Sequence, residues 1–525
     1  MGRHRYYFPR GVWVVIIVSL SLSAWLYVTS PPLDNIMVPT LWVLAGLTAL
    51  GWFLRHGRAP RRIKVGLVTL VVAVPLLWST FFRLDSVTGD FAPIWVFRFA
   101  ADGDTLPASP TGAAVGADLM TTTPWDFPQF LGPARDVSVS AVSLDRNWET
   151  TPPELVWRQP IGEGWSSFSV VNGYAVTMEQ RGDREMVTCY DLDTGALVWS
   201  WSVANRYDTV MAGVGPRATP TVDEGLVYAL TNNGILVALD GSTGTPVWKQ
   251  DLIGRYVGSL GDDLDVLQYG RSHSPLILGT LVIVPAGGSE ARGFVSLAAF
   301  DKKTGVPVWD GGDQPISMSS PTVATLAGVE QVLTVNADVV TGHDPTSGAV
   351  LWEFPWPSSG GFPHASQAVG VPPNRVWLSS GYGGGAVLLE LTPSGGGRFR
   401  AEPVWQNARV LQTKFSQVTM QDGYAYGLSN GILECVEVAT GQRVWKRGRY
   451  EHGQILRVHD LLIVLSEDGE VLLVEASPER PDNVLGRFQA IDGTTWNNFA
   501  LYGPYLAVRN AREAAVFRLP VAAES

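Results

Sequence analysis

The stretch Asp191-Leu192-Asp193-Thr194-Gly195-Ala196-Leu197-Val198-Trp199 recurs at 240–248 as Asp-Gly-Ser-Thr-Gly-Thr-Pro-Val-Trp and at 301–309 as Asp-Lys-Lys-Thr-Gly-Val-Pro-Val-Trp. Residues 344–352 and 437–445 keep the pattern with Ser347-Gly348 and Thr440-Gly441, and a looser copy ends at Trp405. One copy reads as a hairpin. An alternating apolar run such as Ile235-Leu236-Val237-Ala238-Leu239 enters as a half-buried strand. The Asp carboxylate accepts from backbone N–H groups two residues on and opens a turn. Glycine closes it with a positive φ at no steric cost. The next strand carries Trp four residues after the Gly, always on the same face, where it packs one sheet against the next.

Trp157, Trp199, Trp248, Trp309, Trp352, Trp405 and Trp445 are spaced by 42, 49, 61, 43, 53 and 40 residues, and Phe488 takes the place 43 residues further on. A period of roughly 40–50 residues built of short strands indicates a β-propeller with about four strands per blade. Eight seam residues imply an all-β, eight-bladed propeller over 154–520. After Phe488 there is room for three strands but none with a seam residue. The strand Glu154-Leu155-Val156-Trp157 has no blade of its own. It is expected to complete the last blade, leaving no long sheet edge open.

The chain has 525 residues and a formal net charge of −11. Residues 1–64 are basic, so the excess of acid lies in the repeats. An acidic propeller excludes nucleic acid as a partner, because phosphate binding needs a basic surface. Cys189 and Cys435 fall at comparable strand positions in distant repeats and read as buried small hydrophobes. No Cys-x-x-Cys-His encodes a covalent haem, and no spacing suggests a zinc site.

Residues 1–83 read as a three-helix membrane anchor. The apolar runs 12–28, 36–54 and 65–82 each have about the length a bilayer-spanning helix needs, roughly 17–25 residues. Arg3, Arg5 and Arg10 precede the first. Arg55, Arg58, Arg61, Arg62 and Lys64 separate the second from the third. Loops rich in Lys and Arg stay cytoplasmic. The N-terminus is therefore expected inside the cytoplasmic (inner) membrane and the propeller on its periplasmic or extracellular side. Residues 84–153 read as a linker, mobile around Pro107-Ala108-Ser109-Pro110-Thr111-Gly112. Within it, the aromatic stretch at 125–133 is expected to pack on the propeller flank.

Aligning the repeats by their first strands brings Trp165, Arg217, His273, Ser319, His364, Lys414, His452, and Trp496 with Asn498 to one mouth of the ring. Arg217, His273, His364, Lys414 and His452 make up to five cationic or ionisable groups there. Such donors suit a carboxylate-rich ligand, and Trp165 and Trp496 suit a flat ring. The same groups could equally cap strand ends and bond loop carbonyls. Asp262, Asp263, Asp265 and Glu290 lie in the long third-repeat loops and could supply oxygen ligands to a cation, though no spacing marks them, and acidic loops are mostly solvated.

Ala238 to Trp248 reads Ala-x-Asp-x-x-Thr-Gly-x-x-x-Trp, and this resembles the docking motif of the quinoprotein-alcohol-dehydrogenase-like propellers, which carry PQQ (pyrroloquinoline quinone) repeats. The resemblance covers roughly 125–519. Gly-Trp-Ser-Ser at 164–167, Gly-Pro-Arg-Ala-Thr-Pro at 215–220 and Ser-Glu-Asp-Gly-Glu at 466–470 look like the bacterial envelope subgroup. The resemblance implies one of two activities. The first is a membrane-tethered envelope scaffold that binds proteins or a small anionic ligand. The alternative is a PQQ- and Ca²⁺-dependent alcohol or sugar dehydrogenase passing electrons to membrane quinone. The adjacent-cysteine disulfide of the family's alcohol enzymes is impossible here, and no catalytic residue is assigned.

Overall fold

The computed structural model describes residues 10–29, 34–89, 92–99, 116–209 and 213–522. The cluster at 107–112 lies outside them. The chain divides into two compact units, one with the N-terminal helices and one with the repeats.

In the first unit three helices form: α1 (Arg10–Thr29), α2 (Asp34–His56) and α3 (Arg61–Phe81). Their apolar residues are largely exposed where burial is described. Two of the three, over Met37–His56 and Arg61–Phe81, are long and apolar enough to cross a bilayer. In α1 the apolar stretch so described, Val12–Ser23, is shorter. Helix α3 runs straight into an antiparallel hairpin, β1 (Phe82–Val87) and β2 (Pro93–Phe97).

The second unit is a propeller-like array of antiparallel sheets, eight of them with four or more strands among the described residues. The first sheet comprises Ser169–Val171, Tyr174–Arg181, Arg184–Asp191 and Leu197–Ala204. The next seven open with Thr221–Asp223, Leu276–Leu278, Thr322–Leu326, Val369–Val371, Val418–Gln421, Gln454–Val458 and Ala500–Tyr502. Glu154–Pro160 is the fourth strand of the last sheet, with Trp157 opposite Val516 and Pro160 opposite Glu513. The opening strands are inner strands. That of the first sheet touches those of both the second and the eighth, so the ring meets itself.

Five of the eight seams use the quoted turn as a socket. Trp157, Trp199, Trp248, Trp309 and Trp405 lie against Gly195, Gly244, Gly305, Gly348 and Gly441 of the following turn. At Gly244, φ is +71° and an added Cβ would come within 2.5 Å of the Trp199 ring, so only glycine fits there. The indole N–H groups of Trp157, Trp199, Trp248 and Trp405 donate to the carbonyls of Leu192, Gly241, Lys302 and Val438 in the next sheet, at 2.7–2.9 Å. The Asp that opens each turn holds the Gly in place. Asp240 Oδ1 accepts from Ser242 and Thr243, and these bonds hold its carboxyl below the usual range.

The fifth sheet departs from this plan. Its outer hairpin turns at Gly395-Gly396-Gly397 and carries no Asp-Thr-Gly socket. Trp352 donates within its own sheet, to Gln331 Oε1 at 2.7 Å, whereas Trp445, which also faces a sheet without that turn, donates across to Ser477 O at 3.1 Å.

Residues 116–153 are built into this unit. The stretch at 125–133 lies across the inner strands of the ring, where the sequence suggested its flank. Phe127 exchanges backbone bonds with Val170, and Pro128 O accepts from Val222 N. Ser138–Val139 then adds a fifth, parallel strand to the seventh sheet. Between these contacts Arg135 is buried against three sheets. Its guanidinium donates to the carbonyls of Ser274, Pro275 and Pro321 and to Thr221 Oγ1. Burial lowers its pKa to about 9, so it remains a cation at neutral pH.

Trp248→Ala is expected to lower stability by about 3–5 kcal/mol in denaturant titration with no selective effect on ligand binding. Arg135→Ala is expected to cost roughly 3 kcal/mol, because it strands buried carbonyls. Arg135→Lys, which lacks the planar fork, should recover little of that stability.

Candidate functional site

Hydrogen bonds tie residues that precede the inner strands of neighbouring sheets into a belt. Ser167 N donates to Thr219 Oγ1, Thr219 N to Ser274 Oγ, and Ser274 N to Ser320 Oγ, at 2.9–3.1 Å. Gln367 N donates to Gln417 Oε1, and Gln454 Nε2 to Trp496 O and Phe415 O. Asn497 Nδ2 donates to Gly164 O and Ser166 O and links the eighth sheet to the first. The Ser and Thr residues at this repeat position are therefore the joints of the ring.

The expected ring of cations is corrected by burial. His273 is fully buried, with Nε2 2.5 Å from Ser317 O, and desolvation pushes its pKa down to about 3. His364 is buried between Ser380 Oγ (3.0 Å) and Trp356 O (2.9 Å), and desolvation again lowers its pKa. Both rings are neutral at physiological pH and brace loops. Arg217, which precedes the second sheet, remains cationic, and Lys414 precedes the sixth. Arg217 lies 5.0 Å over the Tyr207 ring, and burial lowers its pKa to about 10. Lys414 Nζ lies 5.2 Å over Tyr382 and 3.1 Å from His452 Nε2, to which it donates.

An aromatic wall runs from His452 to Trp165. Phe415 packs on His452 and on Trp496, with ring centroids 5.7 Å and 5.3 Å away. Trp496 packs on Trp165 at 4.7 Å, tilted by 34°. Phe362 stacks on Tyr382 at 4.0 Å. Glu467 accepts from Trp496 Nε1 at 2.8 Å and from His452 N at 3.1 Å. Phe415, Tyr382 and Glu467 lie outside the sequence alignment of strand starts because they stand one residue beyond it or in a neighbouring loop. Asn498 is half-buried; its neighbour Asn497 is the fully buried residue that closes the belt.

Several buried polar atoms here have no protein partner. They are the Trp165 indole N–H, Asn497 Oδ1, Gln454 Oε1, Gln367 Oε1 and His273 Nδ1. The amide donors of Asn497 and Gln454 each face two carbonyls, which fixes their oxygens as acceptors.

The residues do not fit a calcium-held PQQ. A ring sandwiched between two others needs roughly 3.5 Å on each side, whereas Trp165 and Trp496 already touch each other. Asp263 is held by Arg271 through two bonds of 2.7 Å and 3.0 Å, with both side chains buried. Asp262 accepts from Ser259, and Asp265 and Glu290 are exposed. No group of three or more His, Cys, Asp or Glu that could hold a metal occurs among the described residues. Cys189 and Cys435 are buried free thiols, the latter pushed up to about 12.

Glu185 carries a titration the sequence did not reveal. It is fully buried, accepts from Asn205 Nδ2 and from Asn232 N, and burial raises its pKa to about 7. Between pH 4.5 and 7 the unfolded chain has lost this proton and the native chain keeps it. Its contribution to stability is full below pH 4.5 and lost as the pH rises through 7. Glu185→Gln should remove that slope. The wild-type-minus-variant stability, from denaturant titrations, should fall by on the order of 3 kcal/mol between pH 4.5 and 7.5.

The model of the family described as outer membrane protein assembly factor BamB matches residues 183–447, just over half of the chain. The assembly factor BamB of Yersinia pestis is 26% identical over 304 residues, 53% of this chain and 69% of that one. The dehydrogenase subunit of the quinone alcohol dehydrogenase of Gluconacetobacter polyoxogenes is 35% identical over 150 residues, 27% of this chain but only 19% of that one. Among solved structures, the quinohemoprotein alcohol dehydrogenase of Comamonas testosteroni superposes with a TM-score of 0.51 at 14% identity, covering 78% of this chain and 82% of that one.

Proposed function

The chain belongs to the BamB-type PQQ-like propeller repeat family, which is related to the quinoprotein alcohol dehydrogenases, and on that footing we propose that it is an envelope binding scaffold. In this reading α1, α2 and α3 hold it in the cytoplasmic membrane with the N-terminus inside. The eight sheets form an eight-bladed propeller on the periplasmic or extracellular side. The basic residues flanking α2 and α3 support that orientation.

One observation at the mouth favours binding over oxidation chemistry. The half-buried rings of Phe415, Trp496 and Trp165 pack on one another beside Lys414 and leave no gap for a flat ring between them. A segment of polypeptide lays apolar side chains on those rings and offers one carboxylate to Lys414 or Arg217. Trp165, Trp496 and His452 line the same mouth, with Asn498 beside them. His273 and His364 act behind them as braces.

The dehydrogenase reading needs a metal-held quinone and a carboxylate base beside the alcohol. Two measurements separate the readings. Full-length protein in membranes, supplied with PQQ, Ca²⁺ and an alcohol or aldose, should reduce no dye. A photoreactive residue in place of Tyr382 should cross-link one discrete envelope polypeptide in intact cells, and the same residue in place of exposed Glu402 on the outer strand should not. Dye reduction that depends on PQQ, or equal cross-linking at both positions, overturns the scaffold reading.

A further inference from the structure

The hairpin β1–β2 has one face that the repeats do not explain. Phe82 pairs with Phe97 and Leu84 with Trp95, so all four side chains stand on the same side of the hairpin. Leu84, Trp95 and Phe97 are exposed by 37%, 45% and 47%. They are joined by the last turn of α3. Trp78 stacks on Phe82 at 4.4 Å and meets Trp95 edge-on at 5.9 Å, and Phe81 stacks on Phe97 at 6.4 Å. Arg83 stands on the opposite face of its strand.

The hairpin is welded to the helix and is no tether. Phe82 N donates to Trp78 O, Arg98 N to Phe81 O at 2.7 Å, and Arg98 Nη2 to Ser79 O at 3.0 Å. Helix α3 has 21 residues, about 31 Å at 1.5 Å per residue, which matches a hydrocarbon core of about 30 Å. Its final turn then reaches the level of the lipid headgroups. Trp and other amphipathic aromatics favour that level, with rings among the upper acyl chains and polar edges in water.

We propose that this aromatic face is an interfacial platform that lies on the outer leaflet of the phospholipid bilayer α3 crosses. It continues the lipid-facing surface of α3 without a break and sets the direction in which the chain leaves the membrane. The platform rests on the membrane reading above, and its test distinguishes the two.

The native cysteines are buried, so an engineered surface cysteine carries a nitroxide label alone. Full-length protein in phosphatidylcholine–phosphatidylglycerol vesicles is labelled at Leu84→Cys, Phe97→Cys, Arg83→Cys or Val72→Cys. Collision rates with oxygen and with a nickel chelate then report depth. Labels at 84 and 97 are expected several-fold richer in oxygen over nickel collisions than the label at 83, and shallower than the label at 72. Nickel access at both 84 and 97 equal to that at 83 places the face in water and overturns the platform. Low access to both reagents at 84 and 97 means protein covers it, which also overturns the platform. Nickel access at 72 instead overturns the membrane reading of α3.

Discussion

An indole laid on a glycine, repeated from sheet to sheet, is the contact on which the rest of this fold depends. A four-stranded twisted sheet is marginal alone, because it leaves one face and two edges unsatisfied. The Trp ring covers the neighbour's turn, and its N–H satisfies a carbonyl that the turn leaves unpaired. That single geometry requires Gly for approach, Thr or Ser for the cap, and Asp to hold both. The inner strands are then brought together, and their Ser, Thr, Gln and Asn side chains lock the hub.

The same burial that makes the hub rigid decides its charge. A histidine drawn into the belt loses water and is held neutral by its surroundings, as at His273. A carboxylate drawn in at Glu185 is pushed toward its acid form, while one drawn in at Asp263 meets a guanidinium. Arg217 keeps its charge against an aromatic face. The mouth is thus less basic than its list of residues, and its chemistry is mainly that of amides, indoles and hydroxyls.

The repeat, its period and the strand that closes the ring were all legible in the chain, because each depends on a short local pattern with a fixed spacing. What stayed hidden depends on depth. Asn497 and Asn498 are adjacent and chemically identical, and only the strand register says which one is buried. Arg135 lies in a stretch whose composition reads as a linker, yet it reaches three sheets. Its partners are backbone carbonyls, which leave no signature in side-chain sequence. Trp352 looks like the other seam tryptophans in sequence, and only the side-chain geometry shows that its donor turns inward, to Gln331.

The pairing of Glu154–Pro160 with Glu513–Arg518 has a consequence for how the molecule is made. The strand Glu154–Pro160 is synthesised before any of the repeats, and its partner Glu513–Arg518 after all the other strands of the ring. Until the ribosome has delivered that partner, the early strand has an unpaired edge and the growing arc has another. Such edges recruit one another between molecules as readily as within one. Assembly of the ring is therefore a single late event, and the interval before it is when the chain is most exposed to misassociation.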